Sequence, residues 1–499
     1  MSESLALAVV QRYRKAKDRR ASWESLWQDC YDYALPARDT AIRSVGVRRT
    51  GDRLFDGTAP DAVDQLAASM MAQLTPPWAP WFGFSLGPDV EPKERPLLAS
   101  ELERATTVLQ SHFDRSNFAV EMHQCYLDLV TAGTAALLFE EAPAGESSAF
   151  RFAAVPLSQV VLEEGPSGRL DTTFRRSELR LSELQARFPN SPRPAPSTAP
   201  LTADEPSAVV IEAVLPENGV YRYVAVLEPD AGEVSEPTVL CEGVFAASPF
   251  ITFRWLKAPG ETYGRSPVMK SLPDIKTANK VVELVLKNAS IAVTGIWQAD
   301  DDGVMNPANI KLVPGSIIPK AVGSAGLKPL EMPGRFDVSE IVLEQLRGRI
   351  RRALFVDQLG QVNGPRMTAT EVLERAAEMA RVLGATYGRL QSELLTPLVL
   401  RAHGILARRG EIPDFPMDSR FLTLEYRSPQ ARYQAQQNVQ NTLIWLESVR
   451  NLGPEASATV DQAATARWLG RALGVPEELM QPPGAEAGNA NQNPAVAAR

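Results

Sequence analysis

From Pro267 onward the chain sets out a long helix, an irregular insert, a second helix, a short breaker and then a longer helix with a proline inside it. No other feature narrows the choice of fold so far. Between Pro267 and Thr294, Ile275, Ala278, Val282, Val285, Ala289 and Ala292 alternate spacings of three and four, the stripe of an amphipathic helix. Val281, Leu284 and Ile291 lie off that stripe, so the helix is apolar on more than one side. Gly295 to Phe336 is rich in Gly, Pro and Asp, with a short strand expected at Gly315 to Pro319. A second helix is expected from Asp337 to Leu359, with Val338, Val342, Leu346, Ile350 and Leu354 on one ridge. Gly360 to Met367 breaks it, because Gly364 and Pro365 do not readily continue a helix.

Thr368-Ala369-Thr370-Glu371 has capping-box spacing and opens the longest helix, which runs to Arg409. Pro397 predicts a kink within it. A strand at Phe421 to Tyr426 follows, then a helix from Pro429 to Leu452 that Gly453-Pro454 stops. Short helices are expected at Ser457 to Leu469 and Pro476 to Met480. Pro482 to Arg499, rich in Ala, Gly, Asn, Gln and Pro, reads as a disordered tail.

Upstream, the first third is helical: Ser4 to Arg20 with a basic cluster, Ser22 to Tyr33, Ala59 to Gln73, Ser100 to Phe113 and Ala119 to Thr131. An aromatic run, Trp78, Trp81, Phe82 and Phe84, separates the third of these from the fourth. The middle changes period. Phe150 to Ala154, Gln159 to Glu163, Val209 to Leu215, Val220 to Leu227 and Phe250 to Trp255 are short, β-branched or aromatic, and bounded by turn residues. Pro189 to Pro206 is a Pro/Ser/Thr-rich loop or linker. The fold class is therefore α+β, mainly α, in several regions, since 499 residues exceed what one core usually serves.

Composition removes some functions. A net charge of −8 argues against a protein that coats nucleic acid non-specifically. Cys30, Cys125 and Cys241 are scattered and odd in number, which fits neither a disulfide framework nor a zinc site and points to a reducing cytoplasm. Leu5 to Val10 is too short for a signal sequence, and no stretch approaches the roughly 20 apolar residues of a membrane span. The expectation is a soluble protein with no membrane association.

His112, His123 and His403 are the whole histidine stock, which leaves little for a His-based hydrolase or metal site. His123 and Cys125 alone do not hold zinc. Gly260-Glu-Thr-Tyr-Gly264-Arg265-Ser266 is one residue short of a phosphate loop and carries Arg where that loop has Lys, so it reads as a turn opening the Pro267 helix. Asp300-Asp301-Asp302-Gly303 lacks the alternate oxygens and closing Glu of a calcium loop, and reads as an acidic turn. No catalytic residue, metal site or cofactor is expected. Arg347, Arg349, Arg351 and Arg352 share a helix with Glu340, Glu344 and Asp357. They form either a solvated face of local ion pairs or charges that pair between subunits.

The helix–insert–helix–breaker–helix order resembles phage portal proteins, and short motifs resemble the head-to-tail connectors of short-tailed phages. Those motifs are Leu54-Phe55-Asp56-Gly57-Thr58-Ala59, Leu74-Thr75-Pro76-Pro77 with Trp81-Phe82, and Arg254-Trp255 followed by Gly260 to Pro267. Asp274-Ile275-Lys276 and Met367-Thr368-Ala369-Thr370-Glu371-Val372 complete the set, which spans Arg14 to Tyr426 in the family's order.

The resemblance implies a wing at 1–266, a first stem helix at 267–295, a clip at 296–336 and a second stem helix at 337–359. It continues with a tunnel loop at 360–368, a long kinked wing helix and strand at 369–427, a C-terminal helical crown at 428–481 and a tail at 482–499. It implies a non-enzymatic dodecamer at the portal vertex of the virion, made in the host cytoplasm, with double-stranded viral DNA passing through its axis. Gln361, Asn363, Arg366 and Met367 would face the DNA. Val281, Val282, Leu284, Val285, Ile291, Arg347 and Arg351 would make subunit contacts. The partners implied are the terminase large subunit, major capsid and scaffolding proteins, and tail adaptor and internal core proteins. The alternative is another capsid or tail adaptor without a DNA channel.

Overall fold

The computed structural model describes residues 2–36, 54–77, 79–87, 89, 95–143, 145–189, 207–228, 237–294, 297–298, 328–329, 336–356, 384–415, 422–426, 429–453 and 460–473. The expected strand at Gly315 to Pro319, the breaker 360–368, the helix start at Thr368, the helix at Pro476 to Met480 and the tail 482–499 lie outside these residues. So does nearly all of the Pro189 to Pro206 loop. Helices and strands mix, as the α+β reading requires.

The two N-terminal helical stretches are one helix, α1 (Ser2–Ala34). Nothing between Arg20 and Ser22 breaks a helix, and Arg20 itself holds the join. Its side chain is buried, and its guanidinium donates to the carbonyls of Leu157, Ser158 and Val160 at 3.2, 3.1 and 2.7 Å and to Glu24 at 2.8 Å. Arg20→Ala leaves those oxygens buried without donors and is expected to cost about 2–4 kcal/mol, read as an earlier urea midpoint. An unchanged midpoint would show that water replaces the guanidinium there.

α1 lies on a five-stranded antiparallel sheet of order β4 (Val160–Glu164), β5 (Leu170–Arg180), β6 (Ser207–Glu217), β7 (Val220–Glu228) and β8 (Thr238–Phe245). Alternate residues face opposite sides. Ile211, Val224 and Val226 pack with Val9, Val10 and Tyr13 of α1, whereas Val210 and Ala225 pack with Leu184 and Phe188 at the short helix α5 (Leu181–Arg187).

The main core joins a second sheet to the helices. Its strands are β3 (Phe150–Val155), β2 (Thr134–Glu141) and β9 (Phe250–Arg254), in that order. Around it sit α2 (Thr58–Leu74), α3 (Arg95–Arg115) and α4 (Phe118–Ala132), with Phe113, Phe118, Phe139, Phe150 and Phe152 in mutual ring contact. The aromatic run before α3 contains strand β1 (Phe82–Leu86), which pairs antiparallel with β12 (Leu422–Tyr426).

The first long helix, α6 (Pro267–Thr294), has the expected bounds. The second, α7 (Phe336–Ala353), stops six residues short of the expected Leu359. Phe355 takes φ 61° there and stacks on Trp255, so a tertiary ring contact ends the helix before any glycine does. Two short strands, β10 (Trp297–Gln298) and β11 (Lys328–Pro329), pair beyond the far end of α6.

Around Pro397 the chain has α8 (Gly384–Leu390), a π-turn (Gln391–Leu395) and α9 (Thr396–Arg408). At the C-terminal end, α10 (Pro429–Asn451) and α11 (Gln462–Leu473) pack on each other.

Candidate stem and conduit site

α6 and α7 pack together, with Arg349 on Asp274 at 3.0 Å and β10–β11 linking their far ends, so the pair runs antiparallel. At its base the pair belongs to the body. Val268, Leu272, Ile275 and Ala278 of α6 and Leu346 and Ile350 of α7 are buried in the main core.

Polar contacts complete the anchorage. Asn279 Oδ1 accepts the backbone N–H groups of Phe55 and Asp56 at 2.7 and 3.2 Å, while Asp56 Oδ2 accepts Arg347 at 2.9 Å. Asp56 also caps α2 through the Thr58 N–H. Burial works against the Arg347 cation, yet Asp56 and Glu344 together raise its pKa above the ordinary guanidinium value. Lys276 pairs with Asp29 of α1 at 2.6 Å. The Leu54 to Ala59 motif is thus a clasp over both α6 and α7.

Beyond Asn279 the character of α6 changes. Val281, Val282 and Val285 are half-buried, but Leu284 and Leu286 are 48% and 52% exposed. Ile341 of α7 is 61% exposed, and Val342 is exposed as well. Lys287 and Lys280 hold the Glu283 carboxyl below its usual range. Arg351 is exposed, and the side chain of Ile291 lies outside the described residues. Arg347, an expected subunit contact, is engaged within its own chain by Asp56. Sequence reading did not single out Leu286 or Ile341.

Gln361, Asn363, Arg366 and Met367, expected in a tunnel loop, lie outside the described residues. The Gly260 to Ser266 segment is a turn that opens α6: Ser266 Oγ accepts the Met269 N–H at 2.9 Å and donates to the Thr131 carbonyl at 2.8 Å. His112 Nε2 meets Glu411 at 2.7 Å while its Nδ1 accepts the Ala149 N–H, and His403 is buried beside Phe84 and Phe415. Burial lowers the His403 pKa. Among the described residues no cluster of three or more His, Cys, Asp or Glu could hold a metal ion, and no helix is long and apolar enough to cross a membrane.

Such an arrangement, an anchored helix pair with large apolar side chains left uncovered, is that of a protein that works through contact surfaces. Relatives define the class more closely. The chain is 24% identical to the "Probable portal protein" of Bordetella phage BPP-1, over 95% of this chain and 88% of that one. It is 26% identical to the portal protein of Salmonella phage epsilon15, over 93% and 87%. Against the portal protein of Enterobacteria phage T3 it is 24% identical, over 81% and 75%. The class is that of portal connectors of short-tailed phages. Residues 7–480 match the sequence profile described as "Bacteriophage head to tail connecting protein", and the chain belongs to that family.

Proposed function

We propose that copies of this chain form a dodecameric ring at one vertex of the capsid, through which the genome enters and leaves. The observation that carries this reading is the uncovered apolar surface of Leu284, Leu286 and Ile341 on helices whose bases are sunk in the body. A ring uses head-to-tail contacts, so each subunit needs two different complementary faces. Exposed Leu443, Ile444, Trp445 and Trp468 on α10 and α11 supply apolar surface for a second tier of contacts, the crown. The wing, stem, clip and crown divisions follow the boundaries set out from the sequence.

The segment 296–336 is the docking surface for the terminase large subunit and later for tail adaptors, with ATP hydrolysis belonging to the terminase. Major capsid, scaffolding and internal core proteins meet other faces of the ring. Duplex DNA carries about one negative charge per ~1.7 Å of axis, so a strongly basic bore would grip it. The net charge of −8 suits sliding instead. Arg366, with Gln361, Asn363 and Met367, lines the bore, and the ring repeats each into a belt.

Native mass spectrometry and negative-stain images test the ring directly: a central hole is expected, and a compact monomer under all assembly conditions would reject it. The paired change Arg366→Ala, Asn363→Ala is expected to leave rings intact while altering DNA packaging or retention. Normal packaging and retention in that variant would count against the bore assignment.

A further inference from the structure

Proline inside a helix removes the bond to the carbonyl four residues back and its ring crowds that carbonyl. Here Pro397 would crowd Glu393. The chain responds with the π-turn Gln391–Leu395, in which the Thr396 N–H reaches back five residues to the Gln391 carbonyl. Thr396 Oγ1 donates to the same carbonyl at 2.8 Å and meets the Tyr426 hydroxyl at 2.6 Å.

The wide turn delivers the Glu393 carboxylate to Arg254, whose side chain is 0% exposed. Arg254 Nη2 donates to Glu393 at 2.6 Å, Nε donates at 3.2 Å, and the Arg254 backbone N–H adds a bond at 3.0 Å. Arg389, one turn earlier, holds the same carboxylate at 3.0 Å. The rest of the Arg254 guanidinium reaches the Gly168 and Thr262 carbonyls, both at 3.0 Å, and Glu164 at 3.5 Å. Gly168 and Glu164 belong to the β4–β5 hairpin of the five-stranded sheet. One buried cation therefore ties the sheet, the turn before α6 and the π-turn together.

Both flanks of the π-turn are anchored within the described residues. α9 is fixed to the body by buried Leu398, Val399, Ala402, Ile405 and Leu406, and by Arg401 donating to the Phe139 and Ala247 carbonyls at 2.8 and 2.6 Å. On the other side, Thr386 and Leu390 of α8 are buried. Loss of one residue from the turn would rotate α8 by about 100° and move it about 1.5 Å along the axis relative to α9.

We infer that the π-turn is a two-register switch held in its wide form by the Arg254–Glu393 pair, so that the β4–β5 hairpin sets the rotation of α8. An arginine buried this fully keeps its charge and its need of a carboxylate, which makes the pair a lock and not a decoration. Glu164 and Gly168 share the guanidinium, so displacement of the hairpin strains the same lock. α8 is the connection to the segment carrying Arg366, and only this consequence rests on the portal reading.

The test uses the full chain, alone or assembled, its structure solved by crystallography or cryo-electron microscopy and followed by hydrogen exchange. Pro397→Ala alone keeps the lock and is expected to retain the π-turn. Pro397→Ala with Glu393→Gln is expected to straighten the helix, rotate α8 and speed amide exchange in 391–396 at least tenfold. Arg254→Met with Pro397→Ala should behave in the same way, and gives a second route if the glutamine variant misfolds. A straight helix in Pro397→Ala alone, or a π-turn that persists in either double variant, overturns the inference. Failure of the ring reading would leave this result untouched, because the register is read within one subunit.

Discussion

Gly133→Ala is expected to yield little or no soluble protein, with any folded fraction melting on the order of 10 °C below the parent. Gly133 ends α4 in the left-handed conformation, φ 76°, with its N–H on the Leu129 carbonyl at 2.9 Å. Its own carbonyl accepts the Trp255 N–H at 2.9 Å. A Cβ there would lie 2.8 Å from the Ser266 nitrogen and closer still to the Gly264 carbonyl. The conformation alone costs about 1–2 kcal/mol for a non-glycine residue. Forcing two backbones apart adds about 1–3 kcal/mol or more. Together these approach the stability of a domain, roughly 5–15 kcal/mol. Gly260→Ala is the control: φ is 82°, but nothing lies within 4 Å, so only the conformational part should appear. If Gly133→Ala melts like Gly260→Ala, the close approach of α4 to the Gly260–Ser266 turn is wrong.

That contact explains why the Gly260 to Pro267 motif was legible as a family feature while its chemistry was not. Gly264 must be glycine for the backbone of α4 to lie against it, and Tyr263 is buried, accepting the Leu162 N–H at 3.1 Å. Neither demand is visible in a loop read by itself. The long helices were legible because their stripes are local: α6 matches Pro267 to Thr294.

Strands fared worse where their partners are distant or their side chains charged. β1 meets β12 across most of the chain, Phe82 facing Tyr426, and no local alternation announces it. β5 carries Arg175 and Arg176, whose carboxylate partners, Glu212 of β6 at 3.5 Å and Glu228 of β7 at 3.4 Å, are remote in sequence. The end of α7 was overrun because Phe355 stops it by stacking on Trp255, a residue remote in sequence. Pro397 was read correctly as a disturbance, but the extra residue that absorbs it depends on Arg254. On α6, the exposure of Leu284 agrees with its place off the main stripe, whereas the pairing of Arg347 with Asp56 is visible only in the fold.

Leu284→Glu combined with Ile341→Glu is expected to give a folded subunit that forms no rings. Both side chains are largely exposed in the single chain, so the change should move its melting temperature little, as surface substitutions usually stay within about 0.5 kcal/mol. In the proposed ring the same positions would be buried against a neighbour, and each contact would then enclose two carboxylates without partners. An uncompensated buried charge costs about 3–5 kcal/mol. One such group per contact lowers the association constant by roughly 10²–10⁴, and two lower it further. Every contact around the ring carries the same defect, so assembly should fail at any practical concentration. Leu346→Glu separates this from simple damage: Leu346 is buried in the subunit's own core, and that variant should unfold the monomer instead. Sedimentation and native mass spectrometry distinguish the outcomes. Rings of normal size from the double variant would mean that α6 and α7 do not meet their copies through Leu284 and Ile341, and the stem would have to be sought on another face.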